Sequence, residues 1–127
     1  MGYTVFRADE LEFSPPGGGD LDRRLARLSD AMTQMCANLR RLPPGSRGRR
    51  HSEGVQEEAL VVLEGTATLL LGDPAVAETL SRGTVAVVRP GTAIQVTNAG
   101  EEEAVVLIVG APPLTGQAEY LPDALSS

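Results

Sequence analysis

The sequence contains no lysine: all eleven of its basic residues are arginine. Without a side-chain amine there is no Schiff-base nucleophile, no anchor for pyridoxal phosphate and no phosphate-binding P-loop lysine. His51 is the only histidine, so one chain cannot build a three-histidine metal site, nor pair two histidine ligands with a separate histidine base. Cys36 is the only cysteine, which removes intrachain disulfides, CxxC pairs and zinc-ribbon spacings and leaves a small hydrophobe. Long apolar runs are missing as well, and none approaches the roughly 18 residues that span a bilayer. Residues 1–10 offer neither a charged n-region nor an apolar h-region. The expectation is a cytoplasmic chain with no membrane partner.

What remains is 127 residues, 42% apolar and 22% charged, enough for one packed core but not two, so 1–127 is read as a single domain. The net charge of −6 is unevenly spread, with most of the arginines before His51 and most of the acids after it. Arg40, Arg41, Arg47, Arg49 and Arg50 cluster just ahead of His51 and taken alone suggest a phosphate-binding patch. Glu53, Glu57, Glu58 and Glu64 follow and can pair with them. The aromatics Tyr3, Phe6, Phe13 and Tyr120 lie near the termini, so bases would find no stacking partners beside the patch. No nucleic-acid partner is expected.

Residues 1–31 read as an N-terminal arm and loop, with Pro15-Pro16-Gly17-Gly18-Gly19-Asp20 incompatible with a helix or a central strand. Asp22 to Ala31 fits a short helix or a strand equally, and Met32 to Leu42 reads as extended up to Pro43-Pro44-Gly45. Beyond His51 come short apolar runs, Ala59–Leu63, Ala67–Leu71, Val85–Val88, Ala93–Val96 and Ala104–Val109. Glycine-containing turns separate them at intervals of about ten residues, the pattern of an all-β sandwich or barrel. Residues 111–127 form a tail. In Ala59–Leu63 and Ala104–Val109 every residue is apolar, so both faces of the sheet are greasy. Either the arm and Tyr120-Leu121 cover the outer face or a second copy does; a homodimer is expected.

From Gly45 the chain runs Gly-x5-His51-x-Glu53-x4-Glu58-x6-Gly65, and a second block spans Gly83 to Asn98 with Pro90-Gly91 at its turn. Together these blocks, within residues 40–110, resemble the paired motifs of the cupin family. The resemblance implies an all-β double-stranded β-helix, a jelly-roll barrel, with an interior pocket where two histidines and a glutamate of the first motif join a third histidine of the second to hold a divalent metal. In this chain His51 matches the first histidine position and Glu58 the glutamate. Glu53 replaces the second histidine and Ile94 the third.

The spacing supports convergence. Residues i and i+2 on a strand share a face, so His51 and Glu53 can meet, and Gly54 is expected to allow the bend that returns Glu58 to them. One imidazole and two carboxylates suit Mn²⁺, Fe²⁺ or Zn²⁺, held more weakly than by three imidazoles and a carboxylate. Ile94 supplies no donor and excludes water from its side. The expected ligand pocket is therefore His51, Glu53, Glu58, Leu60, Val62, Ile94 and Val96. Without metal, an ion-paired His51–Glu58 couple is expected, while Glu57, off parity, faces outward. Acid–base chemistry without metal would want a tyrosine opposite the histidine, and Tyr3 and Tyr120 both lie outside the matched blocks. No Gly-x-Ser-x-Gly elbow exists, and Glu101-Glu102-Glu103 reads as a solvated turn. The preferred reading is a small-molecule binding or sensing module with a degenerate metal site. The alternative is a metal-dependent oxygenase or isomerase acting on a small polar metabolite.

Overall fold

Valine-rich runs favour the pleated backbone, and the glycine turns between them reverse the chain often enough to stack strands in antiparallel order. The structure, a computed structural model, describes residues 2–14, 24–113 and 118–124. The Pro15–Asp20 loop lies outside the described residues. Among those described, ten strands occur: β1 Arg24–Arg27, β2 Cys36–Leu42, β3 His51–Glu53, β4 Glu57–Glu64, β5 Thr66–Leu71, β6 Val76–Ser81, β7 Val85–Val88, β8 Ile94–Thr97, β9 Ala104–Ala111 and β10 Ala118–Tyr120. They form two antiparallel five-stranded sheets, ordered β1-β2-β9-β4-β7 and β10-β3-β8-β5-β6. No described helix is long and apolar enough to cross a membrane.

All five apolar runs after His51 fall in strands, except that Ala93 lies just ahead of β8. Of the undecided Asp22–Ala31 stretch, the described residues 24–31 hold strand β1 and a single 3-10 turn at Ser29–Ala31 rather than an α-helix. Strand β6 carries no apolar alternation, and only its Leu80 is buried. Six residues paired in unbroken register with β5 hold it in place. Short-range patterning cannot show a strand whose stability comes from a neighbour's ladder.

The core lies between the sheets. Leu42, Leu60, Val62, Val88, Val106 and Ile108 meet Ala67, Leu69, Leu80, Ile94 and Val96, all at most 8% exposed. Along β9 the residues alternate, with Ala104, Val106 and Ile108 buried while Val105, Leu107 and Val109 stay half-buried on the outer face. The arm covers part of that outer face: Ala8, Asp9 and Phe13 line a groove with Leu39, Leu63 and Val105, and the Arg41 guanidinium sits 4.9 Å over the Phe13 ring. Tyr120-Leu121 does not join it, because β10 adds to β3 in the other sheet. At the β7 edge, Val85 and Val87 remain 56% and 66% exposed.

The C-terminal segment is tied down by atoms flanking His51. Leu121 N–H donates to the Arg50 carbonyl at 2.8 Å, and Arg50, 8% exposed, donates to the carbonyls of Pro122 and Gly72, both at 3.2 Å. Ala124 N–H donates to Gln95 Oε1 at 3.1 Å. Three arginines of the cluster pair with acids other than those expected. Arg41 pairs with Glu103 at 3.4 Å, Arg47 with Asp123 at 3.7 Å and Arg50 with Asp73 at 3.5 Å, rather than with Glu53, Glu57, Glu58 or Glu64. Chain reversal sets these neighbours, and it brings distant acids closer than those adjacent in sequence.

Candidate metal and ligand site

His51 and Glu53 stand at the two ends of β3 and share a face, and Glu58 is the second residue of β4. The bend between them falls at Gly54-Val55. Gly54 is not among the glycines of positive φ, so the expected need for its special freedom is not met: an ordinary backbone makes this bend. His51 Nε2 lies 3.8 Å from Glu58 Oε1 and 3.9 Å from Glu53 Oε1, and one donor atom from each residue falls within 4.8 Å of the others. Donors bound at about 2.1 Å sit about 3.0 to 3.4 Å apart around an octahedral or tetrahedral ion, so closing on one takes a shift of less than about 1 Å. The donor set fits a hard or borderline divalent cation. Glu57 is exposed, as its parity requires.

The electrostatics agree with close convergence. The Glu58 carboxylate facing His51 holds its pKa above the ordinary 6.5; burial pulls the other way, and the Arg49 carbonyl at Nδ1 and the Glu53 charge reinforce the rise. The Arg49 carbonyl lies 3.2 Å from Nδ1. A proton on Nδ1 turns the Nε2 lone pair toward the two carboxylates, the orientation a metal ligand needs. Burial raises the Glu53 pKa above 4.5, and the neighbouring Glu58 charge adds to it against the opposing pull of His51.

The three residues share a cavity of about 180 Å³ with Asn38, Arg40, Arg49, Gln56, Ile108 and Tyr120, among others. Leu60, Val62, Ile94 and Val96, expected to line it, belong instead to the closed core at 1%, 1%, 2% and 3% exposure. Glu58 sits at the mouth, and Leu60 and Val62 follow on the same face of β4 at depths where the two sheets are in contact and leave no space. Ile94 pairs directly with His51 in the β3–β8 ladder, so the apolar neighbour is beside the imidazole but sealed.

Sequence reasoning missed several wall residues. Tyr120 pairs with His51 in the β10–β3 register, its ring centroid 6.4 Å from the imidazole, and the Arg49 guanidinium lies 3.5 Å over that ring. Tyr120 and Phe13 are therefore not remote from the arginine cluster in space. Arg40, whose Nε donates to Asn38 Oδ1 at 2.9 Å, was legible in principle, since it shares the inward parity of Leu42 on β2. Gln56 donates to Cys36 Sγ at 3.2 Å and to the Pro112 carbonyl at 2.9 Å. It lies across Gly110, where a Cβ would meet its Cδ at 2.6 Å.

Two facing antiparallel sheets with an imidazole and two carboxylates gathered at one mouth define a small barrel of the double-stranded β-helix class. The family model described as the cupin domain matches residues 38–110, more than half of the chain, and the chain belongs to that family. No curated protein matches it in sequence. Among solved structures it is similar to a sugar phosphate isomerase of the cupin superfamily from Silicibacter pomeroyi DSS-3, at 28% identity over 85% of this chain and 75% of that one, with a TM-score of 0.71. The polyketide cyclase RemF from Streptomyces resistomycificus is 18% identical over 98% of this chain and 87% of its own, with a TM-score of 0.80. An uncharacterised protein with a double-stranded β-helix domain from Klebsiella pneumoniae gives 18%, 95%, 99% and 0.77 respectively. The last two likenesses concern the fold alone.

Proposed function

We propose that this cupin is a small-molecule binding module in which His51, Glu53 and Glu58 hold a divalent cation, Mn²⁺, Fe²⁺ or Zn²⁺, with modest affinity. The observation that carries this reading is the meeting of three donor atoms at 3.8 and 3.9 Å spacing on the wall of one cavity. When bound, such an ion supplies Lewis-acid polarisation and a coordination point for a polar guest. Ile94, in ladder register with His51, adds no donor on its side, which keeps the affinity below that of a full ligand set. A cytoplasmic setting belongs to the same reading, since a chain with one cysteine takes no stability from an intrachain disulfide.

Elemental analysis of untagged protein before and after exposure to each metal tests the proposal. Stoichiometric uptake that disappears in His51→Ala, together with a melting temperature that climbs with metal concentration, is the expected result. Equal metal content in both proteins, or none in either, would overturn it.

A second reading, a metal-dependent isomerase acting on a small polar metabolite, is favoured by Tyr120 beside His51 and by the likeness to the isomerase at 28% identity. It predicts deuterium incorporation from heavy water into a sugar phosphate, lost in Tyr120→Phe. We also propose that the bare Val85 and Val87 face pairs with a second copy, since exposed apolar sheet surface is costly in water.

A further inference from the structure

We infer that Gln56 selects the guest of this cavity: its side-chain carbonyl oxygen is a fixed acceptor that calls for a hydroxyl group on the bound molecule. The inference rests on the site reading above for where the guest lies, since Gln56 lines the cavity that His51, Glu53 and Glu58 border. Gln56 stands just ahead of β4, shares the inward parity of Glu58 and is 6% exposed. Both hydrogens of its amide nitrogen are taken, one by Cys36 Sγ at 3.2 Å and one by the Pro112 carbonyl at 2.9 Å. The reverse orientation of the amide would set its oxygen against that carbonyl, acceptor to acceptor, so the place of the nitrogen fixes that of the oxygen. Among the described residues no donor reaches Oε1.

The strands make room for that oxygen. Cys36, Gly110 and Glu58 form one inward row across β2, β9 and β4, in direct register. The middle position has no side chain and Gln56 fills it: a Cβ on Gly110 would meet Oε1 at 2.7 Å. Oε1 therefore lies over the centre of a row that ends at Glu58. A buried carbonyl oxygen without a donor is costly, and a guest hydroxyl removes the cost, whereas a methyl group in the same place preserves it. An ammonium group would also donate, but a divalent cation on the three neighbouring ligands repels it, and a carboxylate has no hydrogen to give. Size restricts the guest further: about 180 Å³ holds on the order of six water molecules at about 30 Å³ each, the room of a few carbon atoms with an oxygen at either end.

Hydroxyacetone and butan-2-one test this, because they match in size and in the ketone oxygen they offer a metal and differ only in a hydroxyl against a methyl. The chain has no lysine, so no side chain condenses with either ketone. Each is titrated into the full chain loaded with zinc and followed by proton–nitrogen NMR, with the Gln56 side-chain amide signals identified by their loss in Gln56→Met. Hydroxyacetone is expected to bind about tenfold more tightly than butan-2-one and to shift those signals. Gln56→Met keeps the length of the side chain without its carbonyl, and in this variant, shown to be folded by circular dichroism, the ratio should fall to about one. Equal affinity for the two ketones in the wild type, or failure of both to bind, overturns the inference without recourse to any variant. A preference that survives in folded Gln56→Met overturns it as well. Calorimetric zinc uptake keeps the two readings apart. Uptake that Gln56→Met abolishes makes Oε1 a metal ligand, which overturns this inference and leaves the cation reading standing. Absence of uptake in the wild type removes the cation reading, and a preference for hydroxyacetone in the metal-free protein then still supports this inference.

Discussion

The Arg49 guanidinium lies 3.5 Å over the ring of Tyr120, joining the segment before β3 to the C-terminal strand. A cation over an aromatic face at a partly exposed site contributes about 0.5–1 kcal/mol. Tyr120→Leu is therefore expected to lower stability by about that amount in urea unfolding. Tyr120→Phe, which keeps the ring, should unfold like the wild type.

Gly65 holds φ +72° at the turn between β4 and β5, and a Cβ there would come within 2.5 Å of the Glu103 carbonyl oxygen. Both the left-handed backbone and the backbone collision count against any side chain. Gly65→Ala is expected to lose more than about 2 kcal/mol, read from the shift in the denaturation midpoint. Gly54→Ala, with nothing within 4 Å of its Cβ and no positive φ, should change the midpoint little.

The raised pKa values of His51 and Glu53 give the metal-free protein a definite pH dependence. A folded state that holds its protons more tightly than the unfolded chain loses stability as pH rises. The His51 contribution is complete below 6.5 and disappears as pH climbs through the higher folded value; the Glu53 contribution declines from 4.5 upward in the same sense. The wild-type melting temperature should fall more steeply between about pH 6 and about pH 8 than that of His51→Gln. Metal affinity should move in the opposite direction, strengthening with pH as protons leave the ligands. A metal titration at the same two pH values checks this.

Ile94 stands in ladder register with His51 and is 2% exposed. Ile94→His would add an imidazole beside the first while placing a polar ring in the core. Metal binding is expected to tighten by about tenfold or more, and the metal-free variant to lose about 1–3 kcal/mol. Calorimetric metal titration and thermal melts with and without metal separate the two effects.

Val85 and Val87 present branched apolar side chains at the β7 edge, beyond the part of the sheet that the arm covers. If this face joins two copies, Val87→Glu buries a charge against its own symmetry mate and should shift the mass in light scattering from dimer to monomer. A wild type already monomeric at micromolar concentration would sink the dimer.

The β class and the acidic and imidazole members of the site were legible because their information is local. Alternating and continuous valine runs, turn glycines and the i, i+2 spacing of His51 and Glu53 are properties of a few neighbouring residues. Strand β6 was illegible because its own side chains are largely exposed and its pairing with β5 supplies what holds it. The ion-pair partners of the arginines escaped for a related reason, since charges find whichever acid the fold brings near.

By itself the chain determined a β-barrel of cupin type and a three-donor cluster, through residue parity and spacing that any correct register must respect. Tertiary structure decided where the cavity ends. Leu60, Val62, Ile94 and Val96 share the inward side of their strands, yet sheet-to-sheet packing closes around them, and the cavity that His51 lines lies at the end near Glu58. It also decided the rest of the wall. Tyr120 reaches His51 through a pairing between the C-terminal strand and β3, a contact whose long loop closure no local pattern encodes.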